Sequence, residues 1–430
     1  MKRPLLLSLL AFGLLLWGLA TLNGGLLALA IPLVIYLGAA LVYGPGELEL
    51  EVTRTLDADR VLSGEPVLVR LSIANKGAPL EQVLVEDIVP PSLELSDGTP
   101  RSLVTLPHGE TIELEYAVRG KRGQFEFQSV QVTASDHLGL FRRQTTLSAP
   151  GRFMVLPETS RLRRVAIRPL RTRAYAGPIP SRQGGSGIEF FGVREYQPGD
   201  PLRWINWRSS ARHPRALFTN EFEPERIADV GLILDARQQS DVRLSDDALF
   251  EHAIRATSSL AETFLSDGNR VGLLIYGTSL EWTFPGYGQV QHEYILRALA
   301  GAETGASEVF DSLDYIPTRC FPARSQIVLI SPLCPNDLPV LVRLRARGYQ
   351  LLVISPDPVA FEAKALASRQ DVALATRIAR LERTLLLRRL KQAGIPVVDW
   401  QVDTPLDQAV LTSLGSRSFG FRVAGMTLWT

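Results

Sequence analysis

The chain has 430 residues, a formal net charge of +1 and only two cysteines. This length allows two or three domains with buried cores, and the near-neutral charge argues against binding nucleic acid by bulk electrostatic attraction. Cys320 and Cys334 form no CxxC pair, so neither a disulfide framework nor a cysteine-rich metal site is expected.

The N-terminal region predicts attachment to a membrane. After Lys2 and Arg3, two uncharged apolar runs cover residues 5–22 and 26–43, each near the lower length limit for spanning about 30 Å of hydrocarbon. A cleaved signal peptide is the alternative, but the second run would then act as a stop-transfer sequence. We therefore predict a transmembrane hairpin over residues 1–46 in the inner membrane. The bilayer is then a partner, and the remaining chain lies on the cytoplasmic side with Lys2 and Arg3.

Residues 47–157 predict an immunoglobulin-like β-sandwich. Apolar and polar residues alternate along short segments such as residues 48–53 and 67–73, and turn residues separate these segments. About seven short strands at this spacing, without a helical stretch, are typical of such sandwiches. The region contains no group of residues that resembles a catalytic site, and we interpret it as a spacer or a protein-contact domain.

Residues 158–228 are predicted to form a basic linker followed by an unusual signature stretch. Residues 161–173 hold six arginines and no acid. A solvated connecting strand and a contact with anionic lipid headgroups both remain open, whereas nucleic-acid binding is disfavoured because no aromatic residues are interleaved. The glycines that follow form neither GxGxxG nor a P-loop, so no nucleotide or other cofactor is predicted.

Residues 187–235 are the most unusual part of the chain in composition. Two tryptophans stand among arginines and acids, and Pro198 with Gly199 predicts a turn. Arginine stacks on tryptophan and pairs in bidentate fashion with carboxylates, which suits a clamp between two domains. Trp and Arg are also enriched in binding hot spots, so a docking surface is the second interpretation. The residues selected for either role are Arg194, Glu195, Tyr196, Asp200, Arg203, Trp204, Asn206, Trp207, Arg208 and Arg212.

Within this stretch the tryptophans and the arginines are expected to divide the two roles. Tryptophans in the W-I-N-W run have much apolar area to bury, so Trp204 and Trp207 are predicted to be structural. Arg208 and Arg212 can keep their charged heads in solvent. One or both of these arginines are therefore predicted to be available to a partner.

The same stretch resembles the signature of a known family. Residues 192–200 (GVREYQPGD), 203–207 (RWINW) and 210–212 (SAR) look like the pattern of the domain-of-unknown-function 58 family. The resemblance implies that a von Willebrand factor A-like domain follows the signature. It also implies genes lying beside those of MoxR-type AAA+ ATPases, but no activity, because the family has no settled biochemical function.

Residues 229–430 predict an α/β domain, which the resemblance makes von Willebrand factor A-like, that is, Rossmann-type. Helical patterns alternate with strand-like apolar runs at residues 230–234, 271–276, 327–330, 351–354 and 396–400. This alternation is typical of a parallel, doubly wound sheet, which binds ligands at the carboxyl ends of its strands.

Asp235 ends the first of these strands, where von Willebrand factor A domains place a metal-ion-dependent adhesion site. That site needs D-x-S-x-S, because a carboxylate and two hydroxyls supply oxygen ligands to Mg²⁺. Arg237 and Gln239 stand at the two serine positions, and a guanidinium cannot ligate a cation. We predict a degenerate site without a metal, in which Asp235 pairs with Arg237 or with an arginine of the signature.

A long arginine-rich helical region is predicted over residues 359–393. Leu374, Ile378, Leu381 and Leu385 recur there at helical spacing. This pattern predicts one apolar face packed on the sheet and a charged outer face.

Together these features predict a membrane-anchored, non-enzymatic interaction or adaptor protein. By the resemblance, its partner would be a MoxR-type AAA+ ATPase, and its role the assembly or maturation of another complex. One alternative is a metal-dependent adhesion or ligand-binding module of von Willebrand A type, which Arg237 disfavours. Another is a hydrolase using carboxylates such as Glu195 and Asp200, which are better explained as partners of neighbouring arginines.

Overall fold

The structure of the chain is a computed structural model. It describes residues 2–42, 47–135, 142–160, 162, 172–179, 185–213, 215–222, 226–244, 247–307, 309–323, 325–366 and 370–415. The chain divides into two compact units, Met1–Leu156 and Pro157–Thr430. The finer division into segments 1–46, 47–157, 158–228 and 229–430 stays a prediction.

The first unit opens with two helices of 19 residues each, α1 (Lys2–Ala20) and α2 (Gly24–Val42). At 1.5 Å per residue each is about 28 Å long, slightly short of a hydrocarbon core of about 30 Å. The first turn of α1 contains Lys2 and Arg3, and Pro32 lies inside α2. Within the described residues, no helix is long and apolar enough to cross a bilayer. The predicted transmembrane hairpin is therefore wrong, and the inner-membrane location inferred from it loses its basis.

Nine strands follow in the described part of this unit. They are β1 (Leu50–Leu56), β2 (Arg60–Leu62), β3 (Val67–Asn75), β4 (Leu80–Asp87), β5 (Leu93–Gly98), β6 (Arg101–Leu106), β7 (Thr111–Gly120), β8 (Gly123–Ser135) and β9 (Arg142–Leu156). One sheet has the order β1-β3-β7-β5, and the other has the order β2-β9-β8-β4-β6.

The period-two pattern of the sequence decides which side chains lie between these sheets. Along β3, Val67, Val69, Leu71 and Ile73 are fully buried, and the residues that alternate with them are more exposed. They share one hydrophobic core with Val83 of β4 and Val132 of β8, which belong to the other sheet. Because successive side chains of a strand point to opposite faces, alternation of apolar and polar residues produces this one-sided core.

A buried polar group connects the two sheets. The Arg54 guanidinium on β1 donates to the Asp87 carboxylate on β4, and the Tyr116 hydroxyl on β7 donates to the same carboxylate at 2.6 Å. Burial and the hydrogen bond to Asp87 raise the pKa of Tyr116 far above its usual range. The sequence analysis did not identify this group, because its three residues come from three separate strands.

The second unit alternates strands and helices. Its strands are β10 (Thr172–Ile179), β11 (Gly185–Glu195), β12 (Phe218–Phe222), β13 (Arg226–Asp235), β14 (Arg243–Leu244), β15 (Asp247–Ala248), β16 (Arg270–Tyr276), β17 (Leu280–Gly286), β18 (Gln326–Ile330), β19 (Gln350–Pro356) and β20 (Val397–Trp400). Its helices are α3 (Trp207–Ser210), α4 (Leu249–Ser266), α5 (Gly288–Gly301), α6 (Asp337–Ala346), α7 (Pro358–Glu362), α8 (Gln370–Gln392) and α9 (Leu406–Gly415).

The main sheet of this unit has the order β17-β16-β13-β18-β19-β20, with β10 also paired to β13. The five strands from β16 to β20 in that order are parallel, whereas β17 and β10 pair in antiparallel fashion. Side chains alternate between two cores: Leu232 of β13 lies with Leu260 of α4, and Ile233 lies with Leu341 of α6 and Leu390 of α8. The sheet therefore carries helices on both faces.

The predicted fold class is wrong as a whole. The transmembrane hairpin is not found, the sheet is mixed rather than parallel throughout, and nothing in the described residues identifies a von Willebrand factor A-like Rossmann domain. Apolar runs locate buried strands, but they do not state the direction in which each strand pairs.

The apolar stripe predicted to pack on the sheet is also placed differently. Leu374, Ile378, Leu381 and Leu385 lie on α8 and are 61%, 50%, 59% and 51% exposed. The side of α8 that packs against the sheet instead contributes Leu387 and Leu390. The expectation for the stripe is therefore wrong.

Candidate functional site

The signature stretch is built on a pair of antiparallel strands. β11 and β12 pair Gly192 with Glu221 and Glu195 with Phe218. Immediately beyond the strands, the Tyr196 backbone N–H donates to the carbonyl of Leu217 at 2.7 Å. The segment between these strands is thereby closed at its base, and Glu195 is exposed while Tyr196 is half-buried.

A bidentate ion pair fixes the first turn of this segment. The Arg194 guanidinium donates to both carboxylate oxygens of Asp200 at 2.8 and 2.7 Å, and the Gln197 backbone N–H donates to the same carboxylate at 2.8 Å. Gly199 has a φ of 111°, which favours glycine at this turn. The hydrogen bond from Arg194 lowers the pKa of Asp200, and the same bond raises the pKa of Arg194. Asp200 pairs with a neighbouring arginine, as expected.

Asn206 organises the second half of the segment. Its side-chain oxygen accepts from the Ser209 backbone N–H at 2.9 Å, which caps the short helix α3. Its side-chain nitrogen donates to Asn220 of β12 at 2.7 Å, and its backbone N–H donates to the carbonyl of Phe218 at 2.8 Å. One asparagine thus holds α3 against β12.

Large apolar and basic side chains are exposed around this frame. Leu202 is 71% exposed and Trp207 is 69% exposed. Arg203, Arg208 and Arg212 are exposed as well. We call these five residues the signature face. Since the frame beneath is held by hydrogen bonds, they are presented on a defined backbone.

The two tryptophans therefore differ, contrary to the expectation that both are structural. Trp204 is half-buried, with the Arg203 guanidinium 5.8 Å from its ring centroid. Trp207 lies in solvent, because the buried positions beside it are those of Ile205 and Ser210. The expected exposure of the arginines at positions 208 and 212 is confirmed.

A second group of functional candidates lies at the carboxyl end of β13. Arg237 donates to both oxygens of Asp235 at 2.8 Å each, and to both oxygens of Asp337 at 3.0 and 2.9 Å. All three residues are at most 2% exposed. We call them the buried arginine cluster. The predicted pairing of Asp235 with Arg237 is confirmed.

The two carboxylates of this cluster also accept hydrogen bonds from other residues. The Ser331 hydroxyl donates to Asp235 at 2.6 Å, and the Cys334 backbone N–H donates to Asp337 at 2.8 Å. Burial lowers the pKa of Arg237, but the hydrogen bonds that it donates to both aspartates outweigh burial and raise the pKa above its usual range. Burial and the charge of Asp337 raise the pKa of the Cys334 thiol to about 11. A thiol with so high a pKa is a poor nucleophile at neutral pH.

The cluster occupies the place where the sequence analysis considered a metal. The guanidinium lies between two carboxylates, and Gln239 donates to the carbonyl of Asp311 at 3.1 Å. Among the described residues, no group of three or more His, Cys, Asp or Glu side chains is placed to hold a metal ion. An arginine ion pair can position loops, but it offers no open coordination site.

Asp337 is not among the residues predicted from the sequence, because it lies 100 residues from Arg237. One local signal was available: Asp337 is an acid in the first turn of α6, shortly after β18 ends. Two strand ends meeting at one edge of a parallel sheet bring such a residue close to Asp235.

Part of the chain matches a family model, and two uncharacterised proteins are similar to it. Residues 192–360 match the family described as "Protein of unknown function DUF58". The chain is homologous to "Uncharacterized protein YeaD" of Bacillus subtilis (strain 168), with 29% identity over 285 residues, or 65% of this chain and 68% of the relative. It is 24% identical over 284 residues to "Uncharacterized protein Rv1480" of Mycobacterium tuberculosis (strain ATCC 25618 / H37Rv), covering 57% and 83%. These matches confirm the resemblance to the family; they name no activity and no partner.

Similarity to solved structures is weak. The crystal structure of a FixG-related protein from Vibrio parahaemolyticus covers 25% of this chain and 95% of that chain, at 12% identity and a TM-score of 0.18. A TM-score this low supports no conclusion about fold or function.

Proposed function

We propose that this chain is a non-enzymatic interaction protein that docks a partner protein on its signature face. The observation that carries the proposal is the exposure of Trp207 and Leu202 on a backbone held by the Arg194–Asp200 pair and by Asn206. Exposed tryptophan on a preorganised frame suits binding, because little conformational entropy is lost when the partner docks.

The composition of the signature face indicates the kind of partner. Arg203, Arg208 and Arg212 surround the apolar side chains along the chain. A complementary surface would offer an apolar pocket for Trp207 with carboxylates at its edge. The family resemblance suggests an AAA+ ATPase of MoxR type, with this chain as its adaptor in the assembly or maturation of another complex.

The buried arginine cluster favours this proposal over metal-dependent adhesion. Adhesion through a metal needs a carboxylate that is free to coordinate the ion. Both oxygens of Asp235 accept hydrogen bonds from Arg237, and one also accepts from Ser331. In the proposed function, Asp235 has a structural role and does not bind a metal.

Binding of the full chain to a purified MoxR-type ATPase from the same organism tests the proposal. We expect Trp207→Ala to weaken binding by about 30-fold or more, the loss typical of a hot-spot residue of about 2 kcal/mol, with an unchanged thermal midpoint. Phe284→Ala is the matched control, because Phe284 is an equally exposed aromatic residue of the same unit, at 76%. Absence of binding by the unaltered chain, or equal binding by the Trp207 variant, would refute the proposal.

A further inference from the structure

Helix α8 has two apolar faces, and the described residues of the chain cover only one of them. Leu387 and Leu390 are buried against the sheet, and Arg383 is 8% exposed. Arg383 reaches Asp399 at 2.7 Å and the carbonyls of Pro332 and Ser355 at 3.0 Å each. These contacts fix the rotation of α8 about its axis.

The second apolar face lies on the opposite side of the same helix. Leu374, Ile378, Leu381 and Leu385 are all at least half exposed. At 100° per residue these four positions fall within a stripe about 60° wide, roughly opposite Arg383 and Leu390. Over 11 residues the stripe is about 16 Å long. We call these four residues the α8 seam.

The spacing of the seam is that of a coiled coil. Steps of four, three and four residues place Ile378 and Leu385 at heptad position a, and Leu374 and Leu381 at position d. Position f then falls on Arg383 and Leu390, the residues that face the sheet. Ile378 is β-branched, and a β-branched residue at a with leucine at d favours two-stranded parallel association. Leu385 at the other a position is not β-branched, and Arg388 at the next d position ends the seam.

We propose that the α8 seam is a dimerisation surface on which a second copy of this chain docks, with the two α8 helices parallel. The charges beside the seam support a second copy. Arg377 takes position g and Glu382 takes position e of the next heptad. In a parallel pair these two positions face each other across the interface, so each copy contributes one half of two symmetry-related ion pairs.

Other arrangements lack this complementarity. An antiparallel pair brings g against g and e against e, so that Arg377 meets Thr384 and Glu382 meets Ala375. An anionic lipid surface would attract the nearby arginines at positions 377, 388 and 389, but it would repel Glu382, which lies beside the seam. The parallel second copy is the occupant that uses both charges.

The size of the α8 seam sets the expected strength of self-association. Four large side chains from each copy bury less than about 1,200 Å² in total, which is the range of weak and transient interfaces. The dimer is therefore expected to form and dissociate with protein concentration. It does not depend on the docking function proposed for the signature face.

Sedimentation velocity of the full chain over about two decades of concentration tests the seam. We expect Leu381→Lys to weaken self-association by at least tenfold, because it places two ammonium groups within the interface. Leu411→Lys is the matched control, since Leu411 is an exposed leucine of α9, at 44%, and should dimerise like the unaltered chain. Circular dichroism establishes that both variants fold. Equal dimerisation of the Leu381 variant would overturn the proposal.

A charge exchange tests the parallel arrangement. Arg377→Glu and Glu382→Lys should each weaken the dimer, because each places like charges opposite each other, and the double variant should restore it. Failure of the double variant to recover would overturn the parallel second copy. Binding to vesicles of phosphatidylserine and phosphatidylcholine tests the alternative, that the seam contacts a lipid surface. Vesicle binding that is lost in Leu381→Asp, without any self-association of the unaltered chain, would assign the seam to a lipid surface instead.

Discussion

The buried arginine cluster and the Arg194–Asp200 pair of the signature stretch use the same chemistry, arginine paired with carboxylate, in opposite surroundings. Side chains of Arg237 and Asp337 are each 2% exposed, whereas those of Arg194 and Asp200 are 36% and 15% exposed. Water screens the exposed pair and would solvate either partner if the other were removed. No water replaces a lost partner in the buried cluster, so the same type of contact has a much larger effect there on the free energy of unfolding.

The buried ion pairs of Arg237 and the exposed Arg194–Asp200 pair also have different structural roles. In the buried cluster, Arg237 joins the end of β13 to the start of α6, so it holds the architecture of the sheet edge. In the signature stretch, the Arg194–Asp200 pair shapes a turn next to exposed side chains. One pair joins two elements at the edge of the sheet, and the other shapes a turn beside exposed side chains.

Removal of the buried cation should have the largest effect. Arg237→Ala leaves Asp235 and Asp337 buried without a counter-charge, and we expect a loss of about 3–5 kcal/mol in the free energy of unfolding. Urea unfolding at pH 7 measures it. Arg243→Ala is the control, because Arg243 pairs with Asp241 at the surface and its side chain is 72% exposed. A loss below about 1 kcal/mol for Arg237→Ala would contradict a buried, essential pair.

A substitution that allows the buried arginine cluster to bind a metal should have the next largest effect on the free energy of unfolding. Arg237→Ser removes the guanidinium and leaves Asp235, Asp337 and the Ser331 hydroxyl as oxygen ligands. We expect Mn²⁺ at 100 times its dissociation constant to recover about 2.7 kcal/mol in this variant. The unaltered chain should show no change in thermal midpoint. A saturable stabilisation of the unaltered chain that disappears in Asp235→Ala would contradict the structural role of Asp235.

Substitutions of two neighbouring residues in the signature stretch should distinguish a residue needed for stability from one exposed for binding. Ile205 is 8% exposed and Trp207 is 69% exposed. Ile205→Ala should lower the free energy of unfolding by about 2 kcal/mol or more through loss of core packing, whereas Trp207→Ala should change it by less than about 0.5 kcal/mol. Thermal melting of both variants measures this. A strongly destabilised Trp207 variant would show that this tryptophan has a structural role.

The smallest expected effect is the titration of the exposed pair. The hydrogen bond from Arg194 lowers the pKa of Asp200 below its ordinary value, so the stability from this pair is present above about pH 4 and is lost as the pH falls through the lowered value. NMR titration of the Asp200 carboxyl should show its pKa rising in Arg194→Gln. High salt should reproduce part of that rise, since exposed charges are screened. An Asp200 pKa unaffected by either change would mean that the pair is not formed in solution.

Much of the second unit could be predicted from local patterns. The strands near residues 230–234, 271–276 and 351–354 are found close to their predicted positions, because short apolar runs between turn signals are typical of buried strands. The pairing of Asp235 with Arg237 was predictable too, since the two residues lie two positions apart. The antiparallel directions of β10 and β17 were not, because strand direction depends on connections rather than on composition.

The sequence by itself determined the main parallel strands of the second unit, the signature and the loss of both serine ligands after Asp235, all of which are local properties of neighbouring residues. Only the tertiary structure decided that Asp337 completes the buried cluster from 100 residues away, and that Trp207 is exposed while Ile205 is buried. It also decided which apolar face of α8 meets the sheet. Both faces of that helix carry leucines at helical spacing, so periodicity alone could not choose between them. The choice follows from Arg383, whose contacts with Asp399, Pro332 and Ser355 turn the α8 seam toward solvent.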